Sequence, residues 1–435
     1  MIGTASESSP ESEGVHSTLQ QDFACLKAFP NSEFWIEGNA KAVFFDQYVN
    51  VSSRNSAVKT DLGFVPYIYG DTATDGMLES VVSALGLAFL QQRDPSDQAL
   101  QQIAIRRYSS ALRLTSRALH DEYLAKSDEA LATVLLLAVH ELVAMERSAK
   151  GDEIMSVHLE GAVKLLQLRG TSQMATIWGR RMVLRTSIET VNACLYCRKP
   201  IPHTFINFQR SVRHKMHPEE LAVADLTEIG VKLCHVLSQS TEKSFDTKAD
   251  AFEALATIIQ ELDLWALNSI TPRLSVEKVP VQNPDKSFLT YWESHHNHIA
   301  GSVRNTYQCM LIQSQEEVLR LSRTLQVQSN NARLPELIRR APFRIVESAE
   351  AICRSVPFFL GEKGSTHTWT EEPAEPPSMY GAISILTPLR IAVSPECIPL
   401  PTKDRAFQQI HRIARATGVA RARILLCRED LPGVR

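Results

Sequence analysis

The sequence predicts an all-α fold, and three observations predict it. Apolar residues recur at helical spacing from residue 60 almost to the C-terminus. Glycine is sparse, 18 residues in 435, which disfavours turn-rich β structure. Strand-like density is confined to KAVFFDQYVNV (residues 41–51) and FVPYIY (64–69), and no alternating hairpin partner follows either.

Leu78, Val82, Leu85 and Phe89 open the helical series. Tyr108, Ala111, Leu112, Thr115, Ala118 and Leu119 form the next stripe, with Arg106, Arg113 and Arg117 on a solvated face. Ser127 is placed to cap a following helix whose first turn holds Asp128 and Glu129, at the positive end of the helix dipole. That helix, ALATVLLLAVHELVAM, is apolar nearly all round and should lie at the centre of the array. In SVHLEGAVKLLQLRG the stripe is Leu159, Ala162, Val163 and Leu166. His158 opens this helix in the sequence reading, Arg169 closes it, and Gly170 stops it. Gly161 inside it costs about 1 kcal/mol relative to alanine, so a close helix–helix approach is expected there.

Further stripes are Leu184, Ile188, Val191 and Leu195, then Phe252, Leu255, Ile259 and Leu262. Val303, Tyr307, Met310 and Leu311 open a long amphipathic segment through Val318 and Leu321. Ala349, Ile352, Cys353 and Val356 line a helix that should end by Pro357, which cannot donate to the ladder. Ala406, Ile410 and Ile413, then Gly418, then Ala422, Leu425 and Leu426 read as two helices around a short turn. Segments 268–286, 362–378 and 394–402 collect breakers and read as long loops. No repeat signature of 33 to 47 residues is present.

Composition narrows the function classes. A net charge of −3 excludes a surface built wholly to bind polyanions. Eight cysteines are too few for a disulfide scaffold and suit a reducing compartment. The first twenty residues lack the basic and apolar regions of a secretory signal and are rich in Ser and Glu. A disordered tail is expected over residues 1–24, followed by one helical body over 25–435. The run Val134 to Val139 is far shorter than the ~18 residues of a spanning helix, so a soluble intracellular chain with no membrane partner is expected.

Catalytic and metal motifs are incomplete. Cys194 and Cys197 make a C-x2-C, but no second closely spaced pair supplies the rest of a zinc tetrahedron; on an apolar helix they read as small hydrophobes. His140-Glu141 lacks the second histidine of HExxH, since Ala144 stands there. His295, His296 and His298 beside Glu293 form the densest histidine cluster, read as a partly exposed polar helix face. Phosphate-binding glycine loops and a GxSxG elbow are missing, and Glu261-Leu262-Asp263 is too meagre for a magnesium motif. The reading is no enzyme, no catalytic, metal or DNA-contacting residue, and no cofactor; an all-α enzyme of small-molecule metabolism using the His295–His298 region stands as the alternative.

Several strings in order resemble the regulatory region of fungal transcription factors of the zinc binuclear cluster type. They are Asp128, Glu129, Leu131, Val134 to Ala138 (including Leu135) and Glu141; then His158, Gly161, Ala162, Leu165, Leu166, Arg169 and Gly170; then Asn305 and Tyr307. Ser355 to Phe358 (including Pro357), Leu360 and Gly361 follow, with Pro388-Leu389 and the turn Gly418 to Ala422. The resemblance implies an all-α body that modulates transcription, often for a metabolic pathway or a biosynthetic gene cluster, and residence in the nucleus; without it the expectation is cytoplasmic. It implies other transcription regulators or a second copy as partners, and a small-molecule effector as a candidate ligand.

Two departures matter. The family's N-terminal six-cysteine cluster, which holds two zinc ions and places a helix on DNA, has no counterpart before Ala40, where Cys25 is the one cysteine. Direct DNA binding by this sequence is therefore not expected, unless a cluster is encoded upstream of Met1. His140 stands where the resemblance suggests an aromatic, and Gln308 where it suggests arginine.

Overall fold

The computed structural model describes residues 33–49, 60–72, 75–144, 151–239, 245–269, 272–281, 290–325, 333–362, 377–419 and 422. The expected tail, and the second arm of the C-terminal pair apart from Ala422, lie outside these residues. The fold is all-α. In chain order the helices are α1 (Glu33–Phe44, continued by a wide π turn Phe45–Val49), α2 (Val65–Tyr69), α3 (Met77–Arg93), α4 (Gln98–Leu119), α5 (Glu122–Ala125), α6 (Asp128–Ala144) and α7 (Gly151–Arg169). Then come α8 (Ile177–Cys197), α9 (His203–Val212), α10 (Pro218–Gln239) and α11 (Phe245–Asn268). After a hairpin, α12 (His298–Leu325), α13 (Arg333–Phe359), α14 (Met379–Val393) and α15 (Leu400–Thr417) complete the order.

Two segments with strand-like composition, 41–51 and 64–69, fall in α1, its π turn and α2 where they are described. Strand structure appears instead further along: one strand falls inside the stretch 268–286 read as a loop, and its partner lies beyond it, reaching His295 of the histidine cluster. Strand β1 (Val276–Pro280) pairs antiparallel with β2 (Tyr291–His295), from Val276 opposite His295 to Pro280 opposite Tyr291. Its two strands are separated by ten residues, so the local sequence carried no tight-turn signal.

Helix ends follow side-chain chemistry. Asp97 accepts from Leu100 N at 2.9 Å, Ser127 from Ala130 N at 3.1 Å and Thr176 from Gly179 N at 3.0 Å, each satisfying an otherwise orphaned N–H. Helix α13 runs two residues past Pro357 rather than ending at it. The stop is Gly361, whose left-handed φ of 75° lets its N–H reach Phe358 O at 3.2 Å while Glu362 N reaches Pro357 O at 2.9 Å. His158 is interior to α7, which begins at Gly151, so it is not an opening residue.

On α4 the buried seam is Leu100, Ile103, Ala104, Ala111, Thr115 and Ala118. Leu112 and Leu119, assigned to the stripe from spacing, point to solvent. Helix α6 is buried on every face from Ala130 to Glu141, as its composition predicts, and α3 is buried throughout Met77–Leu90.

Two cores result. The first joins α1, α3, α4 and α6 to α13, α14 and α15, so the first and last described helices meet in it. The second is built by α8 to α12. Helix α12 belongs to both, giving Cys309 and Ile312 to the first and Val303 and Met310 to the second. In the first core α3 crosses α1 so closely that a Cβ on Gly86 would stand 1.8 Å from Ala40 O. Gly161 does not mark such an approach, because its Cβ would meet only Val134 Cγ1, at 3.8 Å.

Candidate functional site

Where the two cores meet, α6, α7, α8, α12 and α14 enclose a cavity of about 80 Å³. Leu135 and Val139 of α6, Leu159 of α7, Ile188 of α8 and Ile383 of α14 give it an apolar wall. Tyr196 and Cys197 at the end of α8, which are half-buried, and Lys199 just beyond it, which is exposed, also line the cavity.

Arg185 of α8 faces this cavity and is only 4% exposed. Its Nε and Nη1 have no hydrogen-bond partner among the described residues. The guanidinium lies over the ring of Tyr380, 5.0 Å from the centroid, a cation–π contact that helps hold the charge out of water. Unmet guanidinium N–H groups in such a place are costly, because a buried donor without an acceptor loses its full hydration. Glu189, one turn along α8, and Asn192 and Asn305 also line the cavity. Thr306 donates to Asn192 Oδ1 at 3.0 Å, and Asn305 Nδ2 donates to Ser355 Oγ at 3.1 Å, which fixes both amides.

Asp61 sits beside this group, 6% exposed, with Ser302 Oγ donating to its Oδ2 at 3.4 Å. Burial pushes its carboxyl up to about 7, against the opposing pull of Arg185. Near neutrality Asp61 is therefore a weak counter-ion for the guanidinium.

A second polar cluster surrounds Glu141. Tyr108 donates to the Glu141 carboxylate, and His158 Nε2 lies 3.8 Å from it. His140, where the resemblance suggests an aromatic, stacks on Tyr108 with centroids 4.2 Å apart and planes at 10°. Burial, then the neighbouring His158, pulls its pKa down to about 4, so a neutral ring does the packing of an aromatic.

The remaining positions on which the resemblance rests are structural in placement. Glu129 Oε1 accepts from Leu78 N at 3.3 Å, tying α6 to the start of α3. Arg169 pairs with Asp128 and donates to Ser127 O at 3.3 Å, closing α7 onto the start of α6. Tyr307 packs on Trp265 at 5.2 Å. Gly170 and Gly418 adopt left-handed φ values of 65° and 67° at helix ends. Of the residues that carry the resemblance, Leu135, Ala138, Asn305 and Pro388 line the cavity.

The histidine cluster is not a polar helix face. His295 ends β2 and His298 begins α12. Both are buried against Phe358 and Phe359, while His296 is exposed. Burial lowers His295 to about 4 and His298 to about 3. Cys194 and Cys197 are half-buried rather than core thiols. Among the described residues no three His, Cys, Asp or Glu side chains gather as a metal cluster would.

Sequence reading passed over Arg185, Asp61 and Tyr380. One signal was available: in MVLRTSI a lone arginine sits among apolar and small residues of a buried helix.

Residues 50–191 match the family model described as fungal specific transcription factor domain. No curated protein and no solved structure matches the chain. The matched stretch runs through α2 to most of α8 and includes Arg185, whereas the α12 and α14 walls of the cavity lie outside it. No helix among the described residues is long and apolar enough to cross a membrane.

Proposed function

We propose, for a chain that carries a fungal specific transcription factor domain over residues 50–191, that it regulates transcription of a metabolic or biosynthetic gene set through its α-helical body. The match to that domain is the observation that carries this reading. The given sequence holds no six-cysteine run, which motivates assigning the DNA contact to a partner, and residence in the nucleus rests on the resemblance. On this reading the chain acts in the nucleus by pairing with another regulator or with a second copy, and the partner supplies the DNA contact.

A gel shift with the purified chain and promoter fragments of genes that respond to its deletion tests the division of labour. The chain alone should retard DNA no better than a neutral protein and should supershift a complex formed by its partner. Salt-sensitive, sequence-selective binding by the chain alone would overturn it.

A further inference from the structure

We infer that the cavity between α6, α8 and α14 is a binding site for a short-chain monocarboxylate, whose carboxylate pairs with Arg185 and whose alkyl part lies against α6 and α14. The inference rests on the regulator reading only for its consequence, since binding itself is measured on the protein alone.

Three observations carry it. Arg185 is buried with Nε and Nη1 lacking hydrogen-bond partners among the described residues, and it faces the cavity. A planar guanidinium presents N–H groups in the fork that a carboxylate matches with two parallel bonds. One side of the wall is aliphatic, from Leu135, Ala138, Val139, Ile188 and Ile383, which suits an alkyl group, while Glu189, Asn192, Lys199 and Asn305 make the other side polar.

Charge and size narrow the ligand further. Asp61, held largely protonated below about pH 7 by burial, leaves room for one negative charge beside Arg185. A volume of about 80 Å³ limits the alkyl part held inside the wall to a few carbons. Leu135 and Tyr380 belong to the first core and Ile188 to the second, so an occupant would bridge both cores. A ligand that favours one relative placement of the two would shift that equilibrium.

The test uses the full chain with isobutyrate, its neutral counterpart isobutanol and the smaller anion acetate, read by isothermal titration and thermal shift at pH 7. Isobutyrate should bind saturably, about tenfold or more tighter than either. In R185Q, with its fold checked by near-UV circular dichroism, that preference for the acid over the alcohol should vanish. A138L, which fills the apolar wall and leaves the guanidinium in place, should weaken isobutyrate while leaving the charge intact. Absence of saturable isobutyrate binding would overturn the site, and so would equal binding of the alcohol. Acetate binding as tightly as isobutyrate, or isobutyrate affinity unchanged in A138L, would also overturn it. Any of these failures leaves a transcriptional response to deletion intact, so the two readings fail separately.

Discussion

The first core is closed by helices from early and late in the described sequence, the second by consecutive helices between them. In the first, Leu85 of α3 and Leu135 of α6 pack in one cluster with Ile352 of α13, Leu386 of α14 and Ile410 of α15. In the second, Leu195, Leu233, Leu255 and Val303 come from α8, α10, α11 and α12 in sequence order. A cluster that closes over so long a stretch of chain must overcome a larger loop-closure entropy before its contacts form. The comparison teaches that the two regions differ in what a substitution should disturb. A change in the first core touches the joining of helices far apart in the sequence, and one in the second touches local helix pairs.

The largest effect should come where the first core is tightest. Gly86→Val forces a side chain into Ala40 O and should destabilise by about 3 kcal/mol or more, read as a shifted urea midpoint. In the second core Leu255→Ala opens a void at a fully buried position and should cost about 2–5 kcal/mol. Hydrogen exchange should then rise mainly in α10 to α12, and a rise spread equally over α3 and α6 would erase the distinction between the regions.

Next is the pair that closes α7 onto α6. Arg169→Ala should cost about 1–2 kcal/mol, because the arginine is buried while Asp128 is partly exposed and regains water.

The seam between the regions gives a pH-dependent prediction. Asp61 has a folded pKa of about 7 against an ordinary value of 3.8. Between those values the folded state keeps a proton that the unfolded state has released, so this group loses stability for the fold as pH rises from about 4 to about 7. The histidines run the other way: His140, His295 and His298 have depressed values and contribute stability that is lost as pH falls below about 6.5. Asp61→Asn isolates the first effect. Its stability relative to wild type should climb from pH 4.5 to pH 7.5 in parallel denaturation curves, and a gap that stays constant would refute the assignment.

The smallest effect is a gain. Gly161 sits in α7 with no close neighbour, so Gly161→Ala should stabilise by about 0.5–1 kcal/mol, in contrast to Gly86.

The same contrast explains what could be read from sequence. Helix α11 buries Phe252, Leu255, Ile259 and Leu262, the stripe its spacing gives, because one face is wet and the period is visible. Helices α3 and α6 are buried all round, so composition gives their depth and not which face meets which neighbour. On α4 the arginines Arg106 and Arg107 pair with Glu33 and Glu37 of α1, an arrangement that spacing within α4 cannot reveal. The hairpin was hidden because each strand's partner lies ten residues away and neither alternates cleanly. Arg185 was hidden for a related reason: its surroundings come from α6, α12 and α14, distant in the chain. The resemblance to the fungal regulators was legible from ordered strings such as DEALATVLLLAVHE and HLEGAVKLLQLRG, and the family match covers both.

The most direct measurement is the transcriptome of a strain lacking this chain, compared with the same strain complemented by the intact gene. The account predicts that a defined set of functionally related genes changes on deletion and returns on complementation. An unchanged transcriptome, with a single metabolite accumulating in its place, would contradict it.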